Sequence, residues 1–93
     1  MSDIKITYTK RAEKFLQKNP TRLTEEECTD LVRTAVLKLI GEETRNIDLK
    51  RLEGELKGNY RIRTGEIRII FQVRFGIVHV ASVEDINFRS SSY

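Results

Sequence analysis

From Tyr60 to Val83 apolar and polar residues alternate, and the alternation is broken at Gly65-Glu66 and again at Phe75-Gly76. The stretch is rich in β-branched and aromatic residues, and glycine-containing breaks between such runs signal consecutive β-hairpins. The pattern predicts a three-stranded antiparallel meander. With a two-residue loop at each break, Arg63 faces Arg68, Arg61 faces Ile70, Gln72 faces His79 and Ile70 faces Ala81. Successive side chains on a strand point to opposite faces. One face then carries Tyr60, Ile62, Ile67, Ile69, Phe71, Val73, Val78 and Val80, and reads as a core face. The other carries Arg61, Arg63, Arg68, Ile70, Gln72, Arg74, His79, Ala81 and Val83, and is cationic and only partly apolar.

Upstream, Ile4-Lys5-Ile6-Thr7-Tyr8 alternates as a short edge strand of the same sheet. Thr9 is placed to cap a helix from Lys10 to about Asn19, with Ala12, Phe15 and Leu16 as its apolar stripe and Pro20 as its stop. Thr24, with Glu27 three residues later, forms a capping-box pattern that opens a second helix, and Gly41 marks its end. Within that helix Cys28, Leu31, Val32, Ala35, Val36, Leu39 and Ile40 recur at helical spacing. Cys28 lies in the stripe and reads as a buried small apolar residue, not as a nucleophile. From Glu42 to Asn59 periodicity weakens; Leu49, Leu52 and Leu56 are anchors, and Gly54 and Gly58 mark turns. The expected architecture is α+β, in the order βααβββ, with a helical hairpin on one face of an antiparallel sheet.

Ninety-three residues make one domain, residues 1–93, able to bury roughly 60% of its unfolded surface. The sequence has no twenty-residue apolar run and no signal-peptide pattern, so a soluble, cytoplasmic protein is expected. A single cysteine fits that compartment. One His and one Cys cannot build a structural zinc site, and no cofactor is expected.

The net charge of +3 conceals segregation. Residues 1–23 carry six Lys or Arg against two acids, residues 24–43 two against six, residues 45–74 eight against four, and the remaining tail one against two. Basic segments flanking an acidic helix point to a polyanion partner for one surface. Arg63 directly opposite Arg68, with Arg61 beside them, is a repulsive arrangement that costs a few tenths of a kcal/mol or more. Any one of these arginines alone reads as solvated. Three converging guanidinium groups are suited to bidentate phosphate binding.

The run from Leu52 to Phe71, with Tyr60-Arg61-Ile62-Arg63-Thr64-Gly65-Glu66-Ile67-Arg68-Ile69-Ile70-Phe71 at its heart, resembles the central motif of the RelE/ParE superfamily of toxins from bacterial toxin–antitoxin pairs. There a leucine-rich approach leads into Y-R-I-R-x-G-x-x-R-I-I-Y/F. The upstream strand and two helices have the family's order, so the resemblance spans nearly the whole chain. It implies a small cytoplasmic toxin neutralised by a cognate antitoxin protein that wraps around it. In the RelE branch, the toxin enters the ribosomal A site and cuts messenger RNA without a metal, by attack of the ribose 2′-hydroxyl on the adjacent phosphate. In the ParE branch it inhibits DNA gyrase and cuts nothing.

Carried over residue by residue, Arg61 and Arg63 match the two basic positions on the family's first meander strand, and Arg68 matches the arginine on its second. The resemblance assigns these positions to the scissile phosphate. The family commonly has an arginine and then a tyrosine after the last strand. Here Glu84-Asp85-Ile86 stands where the arginine is expected, and Arg89 and Tyr93 are the nearest replacements. Lys50, Arg51 and Lys57 approach the first meander strand near the arginine face and are candidate RNA contacts. His79 falls on that face by register, as a further RNA contact able to carry a proton or as a packed side chain. Asp85 shares it, as a base or as an ion-pair partner of Arg61 or Arg68. Tyr93 reads as a stacking platform for a base or as a loose chain end. A ribosome-dependent endoribonuclease and a gyrase inhibitor therefore both stand, with an inactive toxin as a third reading.

Overall fold

Threonine hydroxyls start both helices. Thr9 Oγ1 accepts from Ala12 N at the head of α1 (Lys10–Lys18). Thr24 and Glu27 complete the reciprocal capping box of α2 (Glu25–Leu39), satisfying two backbone N–H groups that have no partner inside the helix. Gly41, at φ +79°, then turns the chain out of α2 through a left-handed cap. The computed structural model describes residues 3–89. Its strands are β1 (Asp3–Tyr8), β2 (Asp48–Arg51), β3 (Asn59–Thr64), β4 (Ile67–Arg74) and β5 (Val78–Phe88), with a single 3-10 turn over Gly54–Leu56 between β2 and β3.

The five strands form one sheet in the order β1-β5-β4-β3-β2. The α+β layer arrangement is as expected. Two details differ from the sequence reading: the sheet is mixed, because β1 runs parallel to β5, and β2 adds a fifth strand beside β3. Asp48-Leu49-Lys50-Arg51 has one apolar side chain in four residues, so its alternation is invisible in the sequence. Backbone pairing with β3 supplies what its side chains do not signal.

The first hairpin has the expected register, with Arg63 opposite Arg68 and Arg61 opposite Ile70. The second does not. Arg74 pairs with Val80, Gln72 with Ser82 and Phe71 with Val83, so the loop is longer than two residues and every side chain of early β5 changes face. Ala81 and Val83 are therefore fully buried, while Val78 is exposed. A bulge between Ile70 and Phe71 in the β4–β5 ladder then shifts the pairing by one residue, to Ile70 with Asp85 and Ile69 with Ile86. Consequently β5 continues to Phe88, through the segment that the sequence reading placed after the last strand.

The core lies between the helices and one sheet face. Ile62, Ile69, Phe71, Ala81 and Val83 from the sheet meet Val32, Ala35 and Val36 from α2 and Ala12 and Leu16 from α1. Burying the Val, Leu, Ile and Phe side chains among them stabilises by about 1.5–3 kcal/mol each. Among the described residues, no helix is long and apolar enough to cross a membrane.

Cys28 is fully buried in this core. Burial pushes its thiol up to about 11; the neighbouring Tyr8 hydroxyl offsets this in part by hydrogen bonding, and the Glu25 carboxylate adds to it. Tyr8, which shares a hydrogen bond with Thr29 Oγ1, is pushed the same way by its own burial. The folded state thus holds the Cys28 proton more tightly than the unfolded chain, whose thiol titrates near 9.0. This contribution to stability is complete below the lower value and is lost as pH rises towards the upper one.

Two measurements check the core. Phe71→Ala is expected to cost about 3–5 kcal/mol in urea unfolding, and a loss below about 1 kcal/mol would place Phe71 outside it. Stability of the native chain should fall as pH rises from about 9 to about 11, and Cys28→Ala should make that decline shallower.

Candidate functional site

On the sheet face turned away from the helices, three residue rows cross the strands. The first runs Asp48, Arg63, Arg68, Asn87 over β2, β3, β4 and β5; the second runs Lys50, Arg61, Ile70, Asp85; the third brings Asn59 to Gln72 and Ser82. These rows follow from the period of two, combined with the register of the first hairpin and the bulge. Arg61, Arg68 and Ile70 line a cleft of about 600 Å3, walled by Leu52 and Leu56 from the β2–β3 connection and by Glu84, Asp85 and Asn87 of β5. Thr9 and Arg11, where α1 begins, close its rim.

The arginines are held, but incompletely. Arg61 Nη2 donates to Asp48 Oδ1 at 2.9 Å, and Arg63 Nη1 lies 3.9 Å from Asp48 Oδ2. Arg68 Nε donates to Asn87 Oδ1 at 3.1 Å, and Asn87 Nδ2 donates in turn to Asp85 Oδ2 at 3.1 Å. The Arg61 side chain is only 12% exposed. Arg61 Nε, Arg63 Nε and Arg68 Nη2 are each buried, with no hydrogen-bond partner among the described residues. A buried N–H donor without an acceptor costs about 1–3 kcal/mol. Three of them on three adjacent guanidinium groups give the face unused capacity to donate to an anion's oxygens. A phosphate, with its several acceptor oxygens, is matched to such a set.

No protein-family model matches the chain, and no curated protein matches it by sequence. Solved structures do match. A YoeB/ParE toxin from Agrobacterium tumefaciens is 22% identical, with a TM-score of 0.67 over 90% of this chain and 96% of that one. The chain has the RelE/ParE-like toxin fold. Two further structures share it. The Escherichia coli DinJ–YafQ toxin–antitoxin complex gives 12% identity and a TM-score of 0.66 over 98% of both chains. The RelBE2 toxin–antitoxin complex of Mycobacterium tuberculosis gives 20% identity and a TM-score of 0.60, over 98% of this chain and 97% of that one.

Within this RelE/ParE-like fold the residues singled out from the sequence separate into groups. Arg61, Arg63 and Arg68 come together on the open face, and Lys50 joins them as the cross-strand neighbour of Arg61. Arg51, one residue further along β2, points to the other face, where its guanidinium lies 5.9 Å from the Tyr60 ring centre. Lys57 follows the 3-10 turn and is exposed, beside the cleft wall at Leu56. His79 is not on the arginine face, because the longer loop reverses its parity. It lies at the far end of the sheet, edge-on to the Phe75 ring, and its Nδ1 accepts from Gly76 N. Arg89 is pinned at the β3–β4 turn, where its N–H donates to Glu66 O at 2.7 Å, and it does not line the cleft. Tyr93 lies outside the described residues. Asp85 shares the face, but hydrogen bonds to Asn87; the arginine ion pairs go to Asp48.

Asp48, Asn87, Thr9 and Arg11 were not legible as site residues. Asp48 sits on the strand that periodicity does not reveal, and Asn87 reaches Arg68 only through the bulged register. Among the described residues, no group of three or more His, Cys, Asp or Glu is placed to hold a metal ion.

Because Asp48 occupies donors that an external anion would use, Asp48→Asn is expected to tighten inorganic phosphate binding about fivefold, equivalent to about 1 kcal/mol. Titration followed by the NMR signals of the arginine Nε–H groups measures this. Unchanged affinity would show that the carboxylate does not compete.

Proposed function

We propose that this chain is the toxin of a type II toxin–antitoxin pair, and that it cuts messenger RNA in the ribosomal A site. The observation that carries the reading is the cluster of Arg61, Arg63 and Arg68, each with a buried donor left unpartnered, with Arg61 and Arg68 lining the cleft. A shared fold with proteins described as toxins, two of them in toxin–antitoxin complexes, supports the toxin role and a cognate antitoxin partner. The active unit is the single domain of residues 1–93, acting in the cytoplasm.

In the proposed reaction, the 2′-hydroxyl oxygen of the nucleotide in the cleft attacks the adjacent phosphorus. The bond to the 5′-oxygen of the next nucleotide breaks. The products are a 2′,3′-cyclic phosphate and a 5′-hydroxyl end, and the 2′-hydroxyl proton is ultimately balanced by protonation of the leaving oxygen. Arg61 and Arg68 donate to the non-bridging oxygens, where negative charge grows towards the transition state; fixed donors aimed at such charge are worth several kcal/mol of barrier. Arg63, the cross-strand partner of Arg68, adds positive field from outside the cleft lining. Arginine stays protonated at any working pH and cannot accept the proton. Glu84 and Asp85 are the carboxylates on the cleft wall, and Asp85, oriented by Asn87, is the better-placed acceptor. Tyr93 completes the substrate side in this reading, with Lys50 and Lys57 along the RNA backbone and Arg89 outside the cleft, at the β3–β4 turn.

Induced expression in a bacterial host with primer extension on a translated message tests the proposal. The native chain should cut, and Arg61→Ala and Arg68→Ala should each reduce cutting by at least a hundredfold while the proteins still fold and bind antitoxin. Growth arrest with intact message would instead favour gyrase inhibition.

A further inference from the structure

The cations of α1 form a second charged surface that starts at the cleft. At 3.6 residues per turn, Lys10, Lys14, Lys18 and Arg11 fall within about 100° of the helix circumference. Ala12 and Leu16, which are buried, occupy the opposite side, and the helix's single acid, Glu13, lies about 60° outside the cationic sector. All four cations are exposed, and none has an ion pair among the described residues.

Lys18 stands in the last turn, where a cation suits the macrodipole, but the rest of the stripe works against the helix. Lys10 and Arg11 stand in the first turn, where the macrodipole favours anions. Lys10, Lys14 and Lys18 repeat at i, i+4, where like charges repel. Neither feature serves helix stability, and both serve a surface that receives an anion.

The position of the stripe is fixed relative to the arginines. Thr9 N donates to Val83 O at 3.0 Å, and Thr9 Oγ1 donates to Glu84 O at 2.8 Å while also capping α1. These bonds join the start of the helix to the bulged segment of β5 that walls the cleft. Arg11 itself lines the cleft, and from Lys10 to Lys18 the stripe runs on for about 12 Å.

We infer that the Lys10–Lys14–Lys18 stripe is a track for the phosphate backbone of an RNA strand whose reacting nucleotide sits among the arginines. This rests on the reading of the cleft given above and extends it from a single phosphate to several nucleotides of the same strand. The contact is to phosphates, so it adds affinity and direction without base preference.

The test compares the native chain with the Lys10→Gln, Lys14→Gln, Lys18→Gln triple variant by fluorescence anisotropy. Glutamine retains helix propensity, and circular dichroism checks the fold. The probes are a 2′-O-methyl RNA 12-mer, which resists cleavage, a 2′-O-methyl trinucleotide that fills the cleft alone, and poly-L-glutamate. The variant should bind the 12-mer at least tenfold more weakly, and its slope of log affinity against log salt should be shallower by about 2, for three released charges. Trinucleotide affinity should be unchanged. Native-like binding of the 12-mer, or an equal loss with the trinucleotide, would overturn the inference. So would a loss confined to poly-L-glutamate, which would make the stripe a docking face for an acidic protein. Arg61→Ala separates the two readings. If it leaves both RNA probes untouched while the triple variant weakens the 12-mer, the cleft reading fails and the basic track stands.

Discussion

A strand with a period of two cannot turn both Ala81 and Ile86 to the same side, yet β5 buries both. The bulge opposite Ile70 and Phe71 resolves the conflict by inserting one residue, so Ala81 and Val83 face the core before it and Ile86 after it. The same inserted residue sends Asp85 and Asn87 to the open face, where they meet the rows containing Arg61 and Arg68. It also leaves the Glu84 carbonyl free to accept from Thr9, which fixes where α1 begins. Core packing, the cleft wall and the position of the first helix therefore all depend on this single irregularity between the two longest strands.

The arginine face is built at some cost. Arg63 and Arg68 are directly opposed, and three guanidinium nitrogens lie buried without partners. Asp48 relieves part of the repulsion by bridging towards Arg61 and Arg63, and Asn87 orients Arg68 without neutralising it. These contacts hold the side chains in place while leaving donors available. A site arranged this way needs little reorganisation when a phosphate arrives, which is the condition under which fixed charges stabilise a transition state most effectively. The hydrophobic layer behind the sheet supplies the rigidity, since Ile62 and Ile69 alternate with the arginines on the same strands and are fully buried.

Much of this was legible from local pattern. The capping box of Thr24 and Glu27, the stop at Gly41 and the two-residue loop at Gly65-Glu66 each depend on a few neighbouring residues, and each was found where the pattern placed it. The arginine cluster followed, because one tight hairpin fixes its register. The second hairpin is ambiguous in the sequence for a physical reason: Val78 and Val80 satisfy a core face as well as Ala81 and Val83 do, and any odd change of register exchanges the two sets, here the three residues that bring Gln72 to Ser82 instead of His79. Pairing with β1, which sets Ile6 beside Ala81 and Tyr8 beside Val83, comes from residues more than seventy positions away in sequence and leaves no local signal. The same ambiguity puts His79 on the wrong face. Asp48 carries no such signal, because a four-residue edge strand with one apolar side chain leaves no periodic trace.

In the proposed reaction the arginine cleft positions an RNA phosphate for attack by the 2′-hydroxyl of the adjacent ribose. The most direct measurement is the chemistry of the cut ends on a translated message, recovered from cells expressing the native chain. The upstream fragment should carry a 2′,3′-cyclic phosphate and the downstream one a free 5′-hydroxyl. A 3′-hydroxyl paired with a 5′-phosphate would mean that water or another nucleophile attacks the phosphorus, and would contradict the proposed reaction.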